Sequence, residues 1–229
     1  MPFWPRRPRS RRATGKSHRA QFVVHFMVQA TMRTRLKPDE QLTIEEFLAF
    51  TDTRPQEERW ELIEGVAVLN PSPTNYHQII TGNILNALLN LKARREVNWI
   101  PLLGIGTRVP ASVNSLPQPD VLVLELSPSG PATAVAEEAI VLFEVLSKSN
   151  TRADQAWRLK VYGSIRNCQH YVTVAQDRAR IVRHDRASGW QPVTFENVDA
   201  RLDMPAIGAA IPLSEVYRWT PLAGATEPS

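Results

Sequence analysis

Gln118-Pro119-Asp120-Val121-Leu122-Val123-Leu124 and, after a linker containing Pro, Gly and Ser, Ile140-Val141-Leu142-Phe143-Glu144-Val145-Leu146-Ser147 are the segments that decide the fold. Each is a short, almost unbroken apolar run, which is the pattern of a strand covered on both faces. Each also carries one carboxylate: Asp120 at the entrance of the first, Glu144 near the end of the second. An ionised carboxylate in such surroundings is costly unless a cation or a donor meets it. Two of them on neighbouring strands would form a hard, oxygen-lined place suited to Mg²⁺ or Mn²⁺. That chemistry points to metal-assisted attack on phosphodiesters.

The order of elements around these strands is that of an α+β (mixed α/β) domain. Upstream, Thr43 followed by Glu45 and Glu46 reads as the capped start of a short helix. Trp60-Glu61-Leu62-Ile63 and Val66-Ala67-Val68-Leu69 flank Glu64-Gly65, a tight hairpin. After the loop Pro71-Ser72-Pro73, Ile80, Ile84, Leu88 and Leu91 recur at helical spacing and predict a long helix over 77–95. Strands are expected at 99–103, 106–109, 120–124 and 139–146, then a second amphipathic helix over 151–163. A run of short strands follows at 170–174, 180–183, 190–195 and 201–204, antiparallel by expectation. A last helical turn at 212–217 precedes an end expected to fray from 220. Trp190 and Trp219 are expected to pack in this β-rich end.

Charge divides the chain unevenly. Residues 1–37 carry ten of the 27 Lys/Arg and no acid, which leaves 17 basic against 23 acidic residues for the remainder. The globular part is therefore acidic, and its net charge alone does not signal nucleic-acid binding. Three readings of the tail stay open: a disordered basic arm that touches phosphates, a signal sequence, or a mis-annotated start ahead of Met27 or Met32. The signal reading is weakened by His25 inside the short apolar stretch 22–28. The expected organisation is a tail over 1–37, one domain over 38–219 and a frayed end over 220–229. One cysteine, Cys168, excludes a disulfide framework and a thiolate metal site, so a cytoplasmic location is the expectation. No membrane span is expected.

Taken together, Pro119-Asp120, the strand ending Glu144-Val145-Leu146-Ser147, and a helix bearing Asp154, Arg158 and Tyr162 resemble the Uma-type restriction endonuclease family of the PD-(D/E)XK nuclease superfamily. Trp60-Glu61-Leu62-Ile63-Glu64-Gly65, Pro71-Ser72-Pro73 ahead of His77, and Gln169-His170-Tyr171-Val172-Thr173-Val174 extend the resemblance over about residues 40–218. It implies an α-β-β-β-α-β core, with an N-terminal helix and hairpin and a C-terminal β-rich extension. It also implies a homodimeric, Mg²⁺-dependent endonuclease (Mn²⁺ as an alternative ion) acting on nucleic acid, DNA rather than RNA. The ion would be held by Asp120, Glu144 and the backbone carbonyl of Val145, with Glu61 assisting.

One feature departs from that family. The superfamily lysine, two residues after the Glu, is Leu146 here. The helix position that carries a lysine in the Uma-type pattern, four residues after Asp154, is Arg158. Arg158 and Lys160 are thus the candidate site cations, with Lys148 behind them. His77 and Asp154 are candidate substrate-binding residues. Each has a bland alternative: His77 and Asp154 as helix caps, Glu144 as the partner of a buried arginine, Glu61 as an exposed strand acid. Arginine neutralises phosphate charge but stays protonated, so it cannot serve as a general base. A nuclease fold that binds nucleic acid or protein without cutting is accordingly the second expectation, and an RNA-processing nuclease the third.

Overall fold

The computed structural model describes residues 41–126 and 135–223, together with the backbone of 34–36. The expectations for residues 1–33, the linker at 127–134 and the end beyond 223 lie outside the described residues. The elements are β1 (Thr34–Leu36), α1 (Ile44–Thr51), β2 (Arg59–Ile63), β3 (Val66–Asn70), α2 (Asn75–Ala93), β4 (Trp99–Leu103), β5 (Gly106–Thr107), β6 (Val121–Glu125), β7 (Val135–Ala136), β8 (Val141–Val145), α3 (Arg152–Gly163), β9 (His170–Val174), β10 (Arg180–Asp185), β11 (Gln191–Glu196), β12 (Arg201–Met204), β13 (Ala209–Pro212) and α4 (Leu213–Val216).

The central sheet runs β11-β10-β9-β8-β6-β4. β4, β6 and β8 form an antiparallel meander, and α3 then carries the chain over to β9, which lies parallel to β8. A parallel neighbour demands such a crossover, and a helix is its usual form. The α-β-β-β-α-β core is therefore α2, β4, β6, β8, α3 and β9, and the fold is the mixed α+β one expected from the sequence. The expected antiparallel run is found in β9-β10-β11 and, as a separate pair, β12-β13.

Both faces of the sheet are covered, which explains why β6 and β8 read as continuous apolar runs. Side chains alternate. Val121, Val123, Val141, Phe143 and Val145 join the core beneath α2, with Ile80, Ile84 and Leu88. Leu122 and Leu142 join the core beneath α3, with Val161, Tyr162 and Ile165. All five residues of β8 are buried. Truncating Phe143 to Ala would cost about 3–5 kcal/mol.

A second sheet, β1-β3-β2, stands beside the first. The β2–β3 turn has Glu64 at φ 50 and Gly65 at φ 78, the two positive angles that suit the twist of a hairpin. A Cβ on Gly65 would lie 2.6 Å from that of Gln41, so only glycine fits. The hairpin docks on the approach to β6 through Leu62 and Leu116, whose backbones exchange hydrogen bonds of 3.4 and 2.8 Å. β1 was not expected inside the basic segment. Expected strand 106–109 is reduced to Gly106–Thr107, which pairs with β7 outside the central sheet. Among the described residues no helix is long and apolar enough to cross a membrane.

Candidate active site at the β6–β8 edge

Because β6 and β8 are antiparallel, the start of one and the end of the other meet at the same edge. Asp120 and Glu144 stand there, 7% and 6% exposed. Strand alternation places Glu144 on the face covered by α3. That helix starts at Thr151, whose hydroxyl accepts from the Asp154 N–H while the Asp154 carboxylate accepts from the Thr151 N–H. Such a capping box sets the helix register. The buried residues Arg158, Val161 and Tyr162 then fall on the inward stripe.

Arg158 is the hub. Its Nη1 donates to Glu144 Oε1 at 2.8 Å and to Tyr162 Oη at 3.0 Å. Its Nη2 reaches both carboxylate oxygens of Glu61, at 2.9 and 2.8 Å. Tyr162 Oη donates to Glu144 Oε1 at 2.9 Å. Glu61, 1% exposed, also accepts from the Gln118 N–H at 2.7 Å and from Asn70 Nδ2 at 2.9 Å. The hairpin thus delivers an acid into the same cluster as the strand pair. Asp120 has a separate set of partners: the Val145 N–H at 2.8 Å, His77 Nε2 at 3.2 Å and, more loosely, Arg59 Nη2 at 3.5 Å. His77 is carried in by the first turn of α2, capped by Thr74, whose hydroxyl accepts from the His77 N–H.

The charge states follow from these contacts. Burial pushes Glu61 up, but the Arg158 charge and the Gln118 and Asn70 donors outweigh it and hold the carboxyl below its ordinary range. Burial also opposes ionisation of Asp120, and His77, the Val145 N–H and Arg59 overcome it. Glu144 goes the other way. Burial raises it, Arg158 pulls it down, and repulsion from Asp120 and Glu61 adds to the rise, so that it titrates at about 8. Arg158, desolvated but facing two acids, is held charged far above any working pH.

Of the residues expected at the site, Asp120, Glu144, Glu61, His77, Val145 and Arg158 converge, and Asp154 and Lys160 stand apart. Val145 meets Asp120 through its amide N–H. Asp154 is built into the capping box of α3, where its carboxylate ties the first turn. Lys160 is exposed, since two residues beyond Arg158 is about 200° around the helix. Arg59, Asn70 and Gln118 were not singled out from sequence. Hairpin register held the signal for two of them: Arg59 faces Asn70 across the pair, and Asn70 is diagonal to Glu61. Glu64 is the turn residue it was read to be, and it accepts from Trp157 Nε1 at 3.0 Å.

The donor chemistry suits a hard divalent ion. Among the described residues no three of His, Cys, Asp and Glu gather as ligands of one ion. Two carboxylates, with water and phosphate completing the shell, is the manner in which Mg²⁺ is bound; tetrahedral Zn²⁺ sites draw on three or four protein ligands. The charge deficit around Glu144 is the second sign of fit. The Tyr171 hydroxyl, buried beside Tyr162, has no hydrogen-bond partner among the described residues.

A mixed sheet flanked by α2 and α3, with acids at the meeting ends of the adjacent antiparallel strands β6 and β8 and an acid-bound cation on the crossover helix, is the restriction-endonuclease class of nuclease fold. The family model described as "Uma2: Putative restriction endonuclease" matches residues 44–214, and the chain belongs to that family. Among solved structures it is similar to a putative nuclease belonging to DUF820 from Anabaena variabilis ATCC 29413, at 16% identity and a TM-score of 0.63. That match covers 78% of this chain and 98% of the other, and at such identity it speaks for the fold alone. No curated protein matches.

Proposed function

We propose that this protein is an Mg²⁺-dependent endonuclease that hydrolyses phosphodiester bonds in DNA, with Asp120 and Glu144 as the ion's protein ligands. One observation carries the reading. Among the described residues, three carboxylates, of Glu61, Asp120 and Glu144, are buried together, and Arg158 is the one guanidinium buried with them. Arg59 is one-third exposed and lies 3.5 Å from Asp120, and the buried His77 ring meets the same carboxylate at 3.2 Å. A cluster this short of positive charge, at the mouth of two strands, is a place built to receive more of it.

When bound, Mg²⁺ supplies an acidified water and neutralises charge on the phosphate oxygens. The chain's own residues do the rest. Val145 N–H and His77 Nε2 fix the Asp120 carboxylate. Arg158 and Tyr162 together fix Oε1 of Glu144. Arg158 cannot accept a proton, so its part is to orient Glu144 and Glu61 and to present positive charge near the scissile phosphate. Mn²⁺ would substitute, since it favours the same oxygen donors. A homodimer would bring two such sites to the two strands of a duplex. A cytoplasmic setting agrees with a single buried cysteine, whose thiol burial pushes up to about 12.

The test is cleavage of supercoiled plasmid and of single-stranded DNA with Mg²⁺ or Mn²⁺. Asp120→Ala and Glu144→Ala are each expected to lower the rate by about a hundredfold or more. Equal cleavage by wild type and both variants would identify a contaminant and overturn the proposal. A second reading, a nuclease fold that binds without cutting, is favoured by one observation. Four of the five N–H bonds of Arg158 are already spent on Glu61, Glu144 and Tyr162. Retained DNA binding with no cleavage in either metal would select it.

A further inference from the structure

A surface pocket of about 340 Å³ opens on the other half of α2, lined by Asn86, Asn90 and Arg94 of the helix and by Arg201, Glu215 and Arg218. Its three arginines are exposed, and none is ion-paired among the described residues although Glu215 borders the same space. Three guanidinia against one carboxylate, in a domain whose overall balance is acidic, is a local reversal of sign. Next to it stands Trp219, 72% exposed, with the Arg218 guanidinium over its ring at 4.4 Å. Trp219 was expected to pack into the β-rich end. Instead its backbone is held in the left-handed region at φ 63, which a bulky residue seldom adopts. The adjoining turn is anchored from α2: Asn83 Nδ2 donates to the carbonyls of Val216 and Arg218 at 3.0 and 2.8 Å.

We infer that this pocket is a second nucleic-acid contact, in which Arg94, Arg201 and Arg218 take backbone phosphates and Trp219 offers a face to a base. Arg201 Nη2 donates to the Ala210 carbonyl at 3.3 Å, yet none of the three guanidinia has a carboxylate partner among the described residues, and exposed guanidinia beside the amide side chains of Asn86 and Asn90 are phosphate-binding chemistry. An exposed indole capped by arginine is the kind of platform on which a base stacks without regard to sequence. Asn90 lies thirteen residues along α2 from His77, about 20 Å by helical rise. The pocket is therefore separate from the acid cluster and would grip nucleic acid away from the scissile bond. The ligand class rests on the nuclease reading above, whereas the pocket itself does not.

Binding is measured by fluorescence anisotropy of a labelled 20-nucleotide single strand and a 20-base-pair duplex, titrated with the full chain in EDTA over a salt series. All proteins carry Asp120→Asn, so cleavage plays no part. The basic tail is common to every protein compared, so its contribution cancels. In the Arg94→Ala/Arg201→Ala/Arg218→Ala variant, affinity is expected to fall tenfold or more, and the salt slope on single strands to flatten by about 2. The corresponding triple lysine variant is expected to keep most of the affinity. Trp219→Ala is expected to cost about fivefold or more on the single strand.

Wild-type affinity and slope in the triple alanine variant overturn the inference. So does an equal loss in the lysine variant with its melting temperature unchanged, because charge would then not be what binds. A changed oligomeric state with binding intact overturns it too, and makes the pocket a protein interface. Should the alanine variant melt early, Arg201→Glu carries the same readouts. Absence of metal-dependent cleavage by the protein without Asp120→Asn, with binding at this pocket intact, would sink the nuclease reading and leave this one standing.

Discussion

Two buried ionic clusters lie on this sheet, and they differ in balance. At the β9–β10 end, Asp185 accepts from Arg183 Nε and Nη2, both at 2.7 Å, and from His170 Nδ1 at 2.7 Å. His170 Nε2 in turn accepts from the Ala206 N–H at 3.3 Å, an arrangement that suits the neutral ring with its proton on Nδ1. Burial resists ionisation of Asp185, yet Arg183 and His170 overcome it and hold its pKa down. One acid there has a full cation and a hydrogen-bonded imidazole to itself. At the β6–β8 edge, among the described residues, Glu61 and Glu144 share one fully buried guanidinium, Asp120 relies on His77 and the one-third-exposed Arg59, and Glu144 is left titrating at about 8. Burial of charge is common to both clusters, and imbalance is confined to the second. That imbalance is what distinguishes a candidate site from a structural brace.

The comparison is broken most forcefully at Arg158. Arg158→Met removes the shared cation and leaves Glu61 and Glu144 buried without it, at an expected cost of about 3–5 kcal/mol in chemical denaturation without metal. Adding Glu61→Gln and Glu144→Gln to that variant should recover much of the loss, since neutral amides need no counter-ion. Failure to recover would show that the guanidinium acts through packing rather than charge. Arg158→Lys keeps the charge and loses the fork. It should fall between wild type and Arg158→Met in stability.

A smaller loss is expected at the brace. Asp185→Asn should cost about 2 kcal/mol, the scale of hydrogen bonds to a charged group rather than of a fully buried pair, because water reaches part of the carboxylate. Cleavage should be unchanged. A hundredfold fall in cleavage with native stability would make Asp185 part of the site and erase the distinction drawn above.

How much of this was legible beforehand follows from the kind of signal each feature leaves. Asp120 and Glu144 stand at the start and near the end of almost unbroken apolar runs, against which any charged residue is visible. α2, α3 and the crossover to β9 follow from helical spacing and from Thr caps at positions 74 and 151. Glu61 was visible as a strand acid, but its sharing of Arg158 with Glu144 depends on the hairpin docking through Leu62 and Leu116, 54 residues apart in sequence. Nothing local encodes that contact. β13, with the sequence Ala-Ala-Ile-Pro, has too few large side chains to show an alternation, and it passed unread. Trp219 departs from the expectation that an indole is buried: it is 72% exposed, on a backbone at φ 63 that the sequence does not announce.

Asp185 and Glu144 also respond to pH with opposite sign. Asp185 has a lowered pKa, so its contribution is present above the ordinary carboxylate range and is lost as pH falls. Glu144 has a raised one. Its contribution is complete below about pH 4, where folded and unfolded chains both hold the proton, and is lost as pH rises through about 8. Metal-free protein should therefore lose stability between these limits, with a slope approaching about 1.4 kcal/mol per pH unit from this group. Thermal melts in EDTA at pH 5, 6.5 and 8 measure it. Glu144→Gln should flatten the profile and melt higher than wild type at pH 8. An unchanged slope in that variant would place the titrating group elsewhere.

The smallest effect is expected at Lys160, and it decides which cation belongs to the site. Lys160 and Arg158 are two residues apart on α3, both charged and both near the position where the family resemblance places a lysine. The inward stripe holds Arg158, Val161 and Tyr162, and Lys160 points into solvent. Lys160→Ala should change stability by less than about 0.5 kcal/mol, as surface substitutions do. It should change the Mg²⁺-dependent cleavage rate less than about twofold. A tenfold loss of rate with unchanged melting would move the catalytic charge from Arg158 to Lys160, because a flexible lysine can swing to a bound phosphate that an arginine already committed to two glutamates does not reach.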